Sequence, residues 1–160
     1  MLTRTANRAD VPHGEIMAKE KLARLFMIAL VLVHIVLVVW CVLGLAEIIL
    51  PELPLPKVGN PLFPASIQLA QWLLVLAVAS IFILGLAARW RHTPIAMAAG
   101  YALMAGLCAV ETIGYLKHDL RYPAMALEYA AYIVILFFLF RSRTARSSFS
   151  PRPSPQGAHS

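Results

Sequence analysis

The sequence predicts an all-α, polytopic membrane protein: a four-transmembrane-helix up-down bundle with both tails cytoplasmic. Hydrophobic residues make up 60% of the 160 positions and charged residues 14%, a balance far from that of a soluble domain. Four apolar stretches, each long enough to cross a bilayer, are separated by short charged or proline-rich segments. Most of the lysines and arginines lie in the segments that would share one side of the membrane. We therefore expect one membrane domain over residues 22–141.

Residues 1–21 form the first polar segment, and we expect a solvated cytoplasmic tail there. Pro12 and Gly14 argue against one continuous helix through this segment. The first membrane helix is expected over about residues 22–50, with residues 19–24 as an optional outward extension. A basic start followed by an apolar run is also typical of a signal peptide, but this run is longer than the usual ~7 to 15 residues. We therefore expect an uncleaved anchor.

Residues 51–64 separate the first two helices and contain five of the eleven prolines of the chain. Because proline removes backbone donors and disfavours helix before it, we expect an extended, semi-rigid loop outside the bilayer. Three further helices are expected at about residues 65–88, 94–116 and 123–141. Thr93 is the expected N-cap of the third helix, and proline at the first helical position suits the start of both the third and the fourth.

The distribution of basic residues predicts the orientation. With four spans both tails share a side, and eleven of the fourteen lysines and arginines fall on that side. Because cytoplasmic loops carry an excess of Lys and Arg, we expect cytoplasmic N and C termini in a multi-pass protein of the cell membrane, the inner membrane if the cell is bacterial. The net charge of +6 then reflects topology, and no nucleic-acid partner is expected. The eleven are Arg4, Arg8, Lys19, Lys21, Arg24, Arg89, Arg91, Arg141, Arg143, Arg146 and Arg152.

The C-terminal residues 142–160 are rich in serine, proline and arginine. Such a composition cannot bury enough apolar surface to form a core. We therefore expect a disordered cytoplasmic tail there.

Polar residues within the apolar segments are the candidates for function, and most of them lie in residues 101–132. A helix advances by about 100° per residue, which places Glu111, Tyr115 and His118 on one stripe of the third helix. Glu128 lies in the second turn of the fourth helix, on one face with Tyr132, and the turn between these two helices is short, so they should be antiparallel neighbours. In the predicted orientation, Glu47, Gln68, Gln71, Glu111 and Glu128 all fall in the outer third of the bilayer. Six polar residues are expected to line one outward-open pocket. They are Glu47, Gln68, Glu111, Tyr115, His118 and Glu128.

These six residues predict an acidic pocket that binds or moves a small polar or cationic solute or a lipid headgroup. Two carboxylates close together in a low dielectric cannot both ionise cheaply, so one should hold a proton or the pair should bind a cation. The simpler alternative is that Glu111 and Glu128 are neutralised by snorkelling side chains of the turn at residues 117–121. In that case they serve only packing and orientation.

Two further functions stay open. One is a non-catalytic accessory or assembly subunit of a larger membrane complex, or a homo-oligomer, docked through a face of small residues on the third helix: Ala98, Ala102, Gly106 and Ala109. The other is a membrane redox or lipid-modifying enzyme that uses Glu111, Glu128 and His118 for acid and base work. An enzyme is the less favoured reading, because the sequence contains no nucleotide loop, zinc motif or nucleophile elbow.

His34 and the two cysteines are the residues to consider as ligands of a cofactor. A histidine within a span can ligate haem, relay protons or hydrogen-bond to another helix. Haem is not expected, because His92 and His118 lie at predicted helix ends rather than at the depth of His34. Cys41 and Cys108 have no CxxC spacing and are expected in the core. The sequence does not determine whether the protein binds a metal or another cofactor.

Overall fold

The computed structural model describes residues 13–52, 54 and 56–150, and this part of the chain contains helices and turns but no strand. The helices are α1 (His13–Ile49), α2 (Ala65–Ala87), α3 (Thr93–Gly114), α4 (Arg121–Arg141) and α5 (Arg143–Ser148). The first four are long and apolar enough to cross a membrane. The predicted all-α class is therefore confirmed, and the four helices indicate a multi-pass membrane protein.

Helix α1 begins earlier than the sequence pattern predicted. It runs unbroken from His13, through Gly14, into the apolar stretch, so the expectation of no continuous helix in this segment was wrong for residues 13–21. No proline lies between Pro12 and Pro51, so every backbone donor in between is available to the helical ladder. A glycine near the end of a long helix costs only about 1 kcal/mol relative to alanine. Residues 1–12, the rest of the expected tail, lie outside the described residues.

The turn between α2 and α3 holds these two helices close together. Arg89 takes a positive φ of 51°, and the Trp90 amide donates to the Gly85 carbonyl at 2.8 Å, which reverses the chain. A side chain at Gly85 would overlap Thr93, so glycine is required for this close approach. Thr93 was expected to be an N-cap, but His92 occupies that position, and the Thr93 hydroxyl instead donates to the Trp90 carbonyl at 2.7 Å.

Consecutive helices pack on each other, and α5 returns to contact both α1 and α4. The core contains the fully buried side chains of Phe82, Met97 and Leu139. Large apolar side chains such as Ile113 and Leu127 are exposed on the outside of the bundle. An apolar exterior of this kind is the surface that a bilayer solvates.

Residues 143–148 form helix α5, so the expectation of a disordered tail was wrong for this segment. The Ser142 hydroxyl caps the helix by accepting from the Ala145 amide at 3.4 Å. Ala145 and Phe149 are buried, and the Phe149 ring meets Phe82 edge to face with 6.3 Å between centroids. The average composition of residues 142–160 is polar, so it did not indicate that these two apolar side chains would be buried. Residues 151–160 lie outside the described residues.

Candidate functional site

The carboxylates of Glu111 on α3 and Glu128 on α4 line one small cavity. Its volume is about 60 Å³, roughly the space of two water molecules at ~30 Å³ each. The remaining lining comes from α2, in Gln71 and Val75, and from three further α3 residues, Met104, Leu107 and Cys108. The site is therefore a small, partly open acidic space between three helices.

Glu111 is the unusual member of this site. It is only 8% exposed, and its Oε1 atom is buried without a hydrogen-bond partner among the described residues. Neither Glu111 nor Glu128 forms an ion pair within the part of the chain that the structure describes. An unpartnered buried carboxylate oxygen is costly, and such atoms in native proteins call for a proton, an ion or a water as partner. The carboxylate that carries this unsatisfied oxygen belongs to a residue that lines the cavity.

Glu128 is held in place by its neighbours on both helices. The Tyr132 hydroxyl donates to Glu128 Oε1, and the Cys108 thiol donates to Oε2 at 3.2 Å. The next residue of α4, Tyr129, donates its hydroxyl to the Ala105 carbonyl at 2.8 Å, which fixes α4 against α3. Glu128 is therefore a positioned carboxylate, whereas Glu111 is an unsatisfied one.

A series of side-chain contacts, hydrogen bonds at its two ends and a ring stack between them, leads from Glu128 deeper into the bundle to His34. The Tyr132 ring stacks on Tyr101 with 4.7 Å between centroids and 15° between planes. The Tyr101 hydroxyl lies 3.4 Å from Nε2 of His34, and His34 Nδ1 lies 2.6 Å from the Leu30 carbonyl. A carbonyl oxygen can only accept, so Nδ1 carries the proton and Nε2 accepts from Tyr101. His34 is only 2% exposed.

A second cavity, of about 150 Å³, follows this chain of side chains. His34, Tyr101 and Tyr132 contribute to its lining, and it shares Val75 and Met104 with the first cavity. The two spaces are therefore adjacent. Sequence reasoning placed Tyr132 on the face of Glu128 and noted His34 separately. It placed Gln71 at the depth of Gln68 but outside the predicted pocket, and it gave Tyr101 no role, because the spacing along one helix does not show which faces of different helices meet.

Glu47 and Gln68 were predicted to line the pocket, but both bind the proline-rich loop instead. Glu47 Oε2 accepts from the backbone amides of Val58 at 2.9 Å and Gly59 at 3.0 Å. The Gln68 side-chain amide donates to the carbonyls of Asn60 and Phe63. These contacts satisfy loop backbone groups that proline leaves without helical or strand partners.

Tyr115 and His118 also lie away from the cavity. The half-buried Tyr115 ring meets Phe63 edge to face at 6.0 Å, and His118 is exposed. Arg121, a candidate for neutralising the carboxylates, donates instead to the Leu116 carbonyl, and its guanidinium lies over the Tyr122 ring. Of the six predicted residues, the structure thus brings only Glu111 and Glu128 together.

The donor set of the site is carboxylate, thiol, phenol and amide. No group of three or more His, Cys, Asp or Glu side chains able to hold a metal ion occurs among the residues that the structure describes. Chemically, the arrangement can hold a proton or a single small cation between two carboxylates. No protein-family model, curated protein or solved structure matches this chain.

Proposed function

We propose that this chain binds a proton between Glu111 and Glu128 and passes it along Tyr132 and Tyr101 to His34, as a small proton-moving protein of the cell membrane. The observation that carries the proposal is the buried Oε1 atom of Glu111, which has no hydrogen-bond partner among the described residues, in a residue that lines one cavity together with a second carboxylate. A cavity of about 60 Å³ suits a proton with one or two waters and is far too small for a lipid headgroup.

The energetics favour a neutralised pair. An uncompensated ion taken out of water costs several kcal/mol even after relaxation. Two carboxylates in one small cavity add their mutual repulsion, so a bound proton relieves both costs. Ionisable residues inside membrane spans commonly form proton relays. A proton shared with Glu128 would give Glu111 the partner that the protein itself does not provide.

The route inward is supported by the contacts beyond Glu128. Each member of the series can both donate and accept a hydrogen bond or exchange a proton: a carboxylate, two phenols and an imidazole. The 150 Å³ cavity, which both tyrosines line, has space for water molecules. Beyond His34 the core is apolar, with Phe82 stacked on the imidazole at 4.1 Å between ring centroids. The polar path therefore stops at His34 in this conformation.

The orientation belongs to the same proposal. We place the four helices in up-down order with both tails cytoplasmic, because eleven of fourteen basic residues then lie on the cytoplasmic side. The carboxylate pair then lies in the outer half of the membrane. In intact cells, a membrane-impermeant thiol reagent should label Lys57→Cys, and should label Arg143→Cys only after lysis. Background labelling should be low because Cys41 and Cys108 are buried. The reverse pattern would overturn the orientation.

Proton movement is tested in proteoliposomes that enclose a pH-sensitive dye, with a potassium diffusion potential as the driving force. The wild-type protein should acidify the interior faster than protein-free liposomes do. Glu111→Gln and Glu128→Gln should lower the rate to that of empty liposomes. The matched control is Glu52→Gln, which removes an exposed carboxylate of the loop and should leave the rate unchanged. Equal rates for all four proteins would rule out transport through the pair.

Proton binding is tested separately from movement with dicyclohexylcarbodiimide, an apolar reagent that modifies protonated carboxyl groups. Mass spectrometry of peptides should find the adduct on Glu111 or Glu128, with a yield that falls as the pH rises. Protection by added sodium ions at constant pH would show that a metal cation, rather than a proton, occupies the pair. No adduct on either residue would contradict proton binding.

One observation favours the accessory-subunit alternative as a second candidate. Ala102 and Gly106, which are four residues apart on α3, are exposed, and nothing lies within 4 Å of a side chain built at Gly106. Small residues at this spacing allow close approach of another membrane helix. Native mass spectrometry after purification in mild detergent should then find a second chain, and Gly106→Leu should release it. A chain that is monomeric in both forms would contradict this alternative.

A further inference from the structure

An apolar groove lies between α1 and α4, at the end of the bundle where α4 meets α5. Its volume is about 600 Å³, within the range of ~300 to 1,000 Å³ that is typical of small-molecule sites. Phe26 and Phe138 line it and meet edge to face, with 4.6 Å between ring centroids. Leu22, Val134 and Phe137 add exposed apolar side chains. The groove therefore has the surface that an acyl chain covers.

The polar end of the groove is positively charged. Lys19 and Arg141 lie in its lining together with Ser142, and no acidic residue is among the described residues that line it. Arg141 makes no hydrogen bond or ion pair with any described residue. The neighbouring cleft between α1 and α5 differs, because its basic residues Arg24 and Arg143 share it with Glu20. The groove thus combines apolar walls with the guanidinium of Arg141 at one end, which has no partner among the described residues.

We propose that this groove binds one anionic phospholipid, with its acyl chains on the phenylalanine-lined walls and its phosphate at Arg141. A guanidinium binds phosphate through two parallel hydrogen bonds, which gives it a geometric fit that a diffuse charge lacks. The positive charge of Arg141 favours a lipid with net negative charge over a zwitterionic one. In the proposed orientation Arg141 reaches the cytoplasmic leaflet, where anionic lipids are enriched. This site is separate from the carboxylate pair, which lies toward the other end of α4.

The test is native mass spectrometry of delipidated protein with added phosphatidylglycerol or phosphatidylcholine of identical acyl chains. The protein should bind phosphatidylglycerol at least about fivefold more tightly, since one basic residue near anionic lipid contributes ~1 kcal/mol. Arg141→Gln should weaken the binding of phosphatidylglycerol more than that of phosphatidylcholine and so remove most of this preference, and Arg141→Lys should keep part of it. Val134→Trp, a change at an exposed wall position, should block the groove and weaken the binding of both lipids.

The matched control is Arg91→Gln, which removes the same charge from the exposed turn between α2 and α3, outside the groove. It should leave the preference for phosphatidylglycerol unchanged. Equal binding of the two lipids by the wild-type protein would overturn the proposal. So would an equal loss of preference in Arg91→Gln and Arg141→Gln, because the preference would then reflect total charge and not this site.

Discussion

His34 on α1 and Tyr101 on α3 meet inside the bundle, with 3.4 Å between the imidazole Nε2 atom and the phenolic oxygen. Tyr101 also stacks on Tyr132, whose hydroxyl donates to Glu128. Two residues separated by 67 positions in the chain are thereby linked to the carboxylate pair through aromatic side chains. A Tyr→Phe substitution removes the hydroxyl group and keeps the ring, so the contribution of each hydroxyl to this link can be tested separately.

Tyr101→Phe should separate the polar contact from the packing. The phenylalanine ring keeps the stack on Tyr132, so the loss of one neutral hydrogen bond should lower the free energy of unfolding by about 1 kcal/mol. Proton flux in proteoliposomes should fall roughly tenfold, the effect of ~1.4 kcal/mol on a barrier. The control is Tyr122→Phe, which removes an exposed hydroxyl that contacts only Arg121. Unchanged flux in Tyr101→Phe would exclude this residue from the proton path.

Glu111→Gln and Glu128→Gln should be non-additive in stability. Glu111→Gln should raise the Tm, because a neutral amide at this position removes the repulsion between the two carboxylates without needing a bound proton. Glu128→Gln should lower it, because the contacts with Tyr132 and Cys108 lose their charged acceptor. Contacting sites commonly show coupling energies of about 0.5 to 3 kcal/mol, which thermal denaturation of the two single variants and the double variant would measure. The pair Glu111→Gln and Glu52→Gln should be additive; a coupling energy of zero for the first pair would argue against a shared cavity.

Glu47→Ala should loosen the proline-rich loop without affecting the carboxylate pair. The amides of Val58 and Gly59 lose their acceptor, so their hydrogen exchange should become faster. Glu47→Gln keeps one acceptor oxygen and should give an intermediate rate. Proton flux should be unchanged in both variants, since Glu47 does not line the cavity. A loss of flux with unchanged exchange would instead return Glu47 to the functional site.

Phe149→Ala should destabilise the protein strongly, because α5 is attached to the core through this side chain. Phe149 is 2% exposed, whereas Phe137 on α4 is 67% exposed. Burial of this kind makes a phenylalanine-to-alanine change cost about 3 to 5 kcal/mol. Phe137→Ala is the matched control, because it removes the same atoms from an exposed side chain. It should change the free energy of unfolding by less than ~1 kcal/mol. Denaturation of the two variants in the same detergent gives the comparison, and similar losses would show that α5 is not docked.

The candidate site was only partly predictable, and the misses have one cause. Helical spacing placed Glu128 and Tyr132 on one face, and the short turn made α3 and α4 neighbours, so the meeting of Glu111 and Glu128 followed from local pattern. Glu47 and Gln68 had the right depth and residue type, but depth does not specify direction around a helix. Their side chains turned to the unsatisfied backbone of the loop, because proline had left amides and carbonyls there without partners.

By itself, the sequence determined the helical class and the four long apolar helices. Both follow from local properties: in a bilayer, backbone groups must be satisfied within each segment, so hydropathy and proline positions decide where helices form. Tertiary structure alone decided that α5 is a helix, that His34 joins the tyrosines and that Glu111 lacks a partner. Each of these depends on contacts between distant residues, and an average over composition or a periodicity along one helix contains no information about which faces of different helices meet.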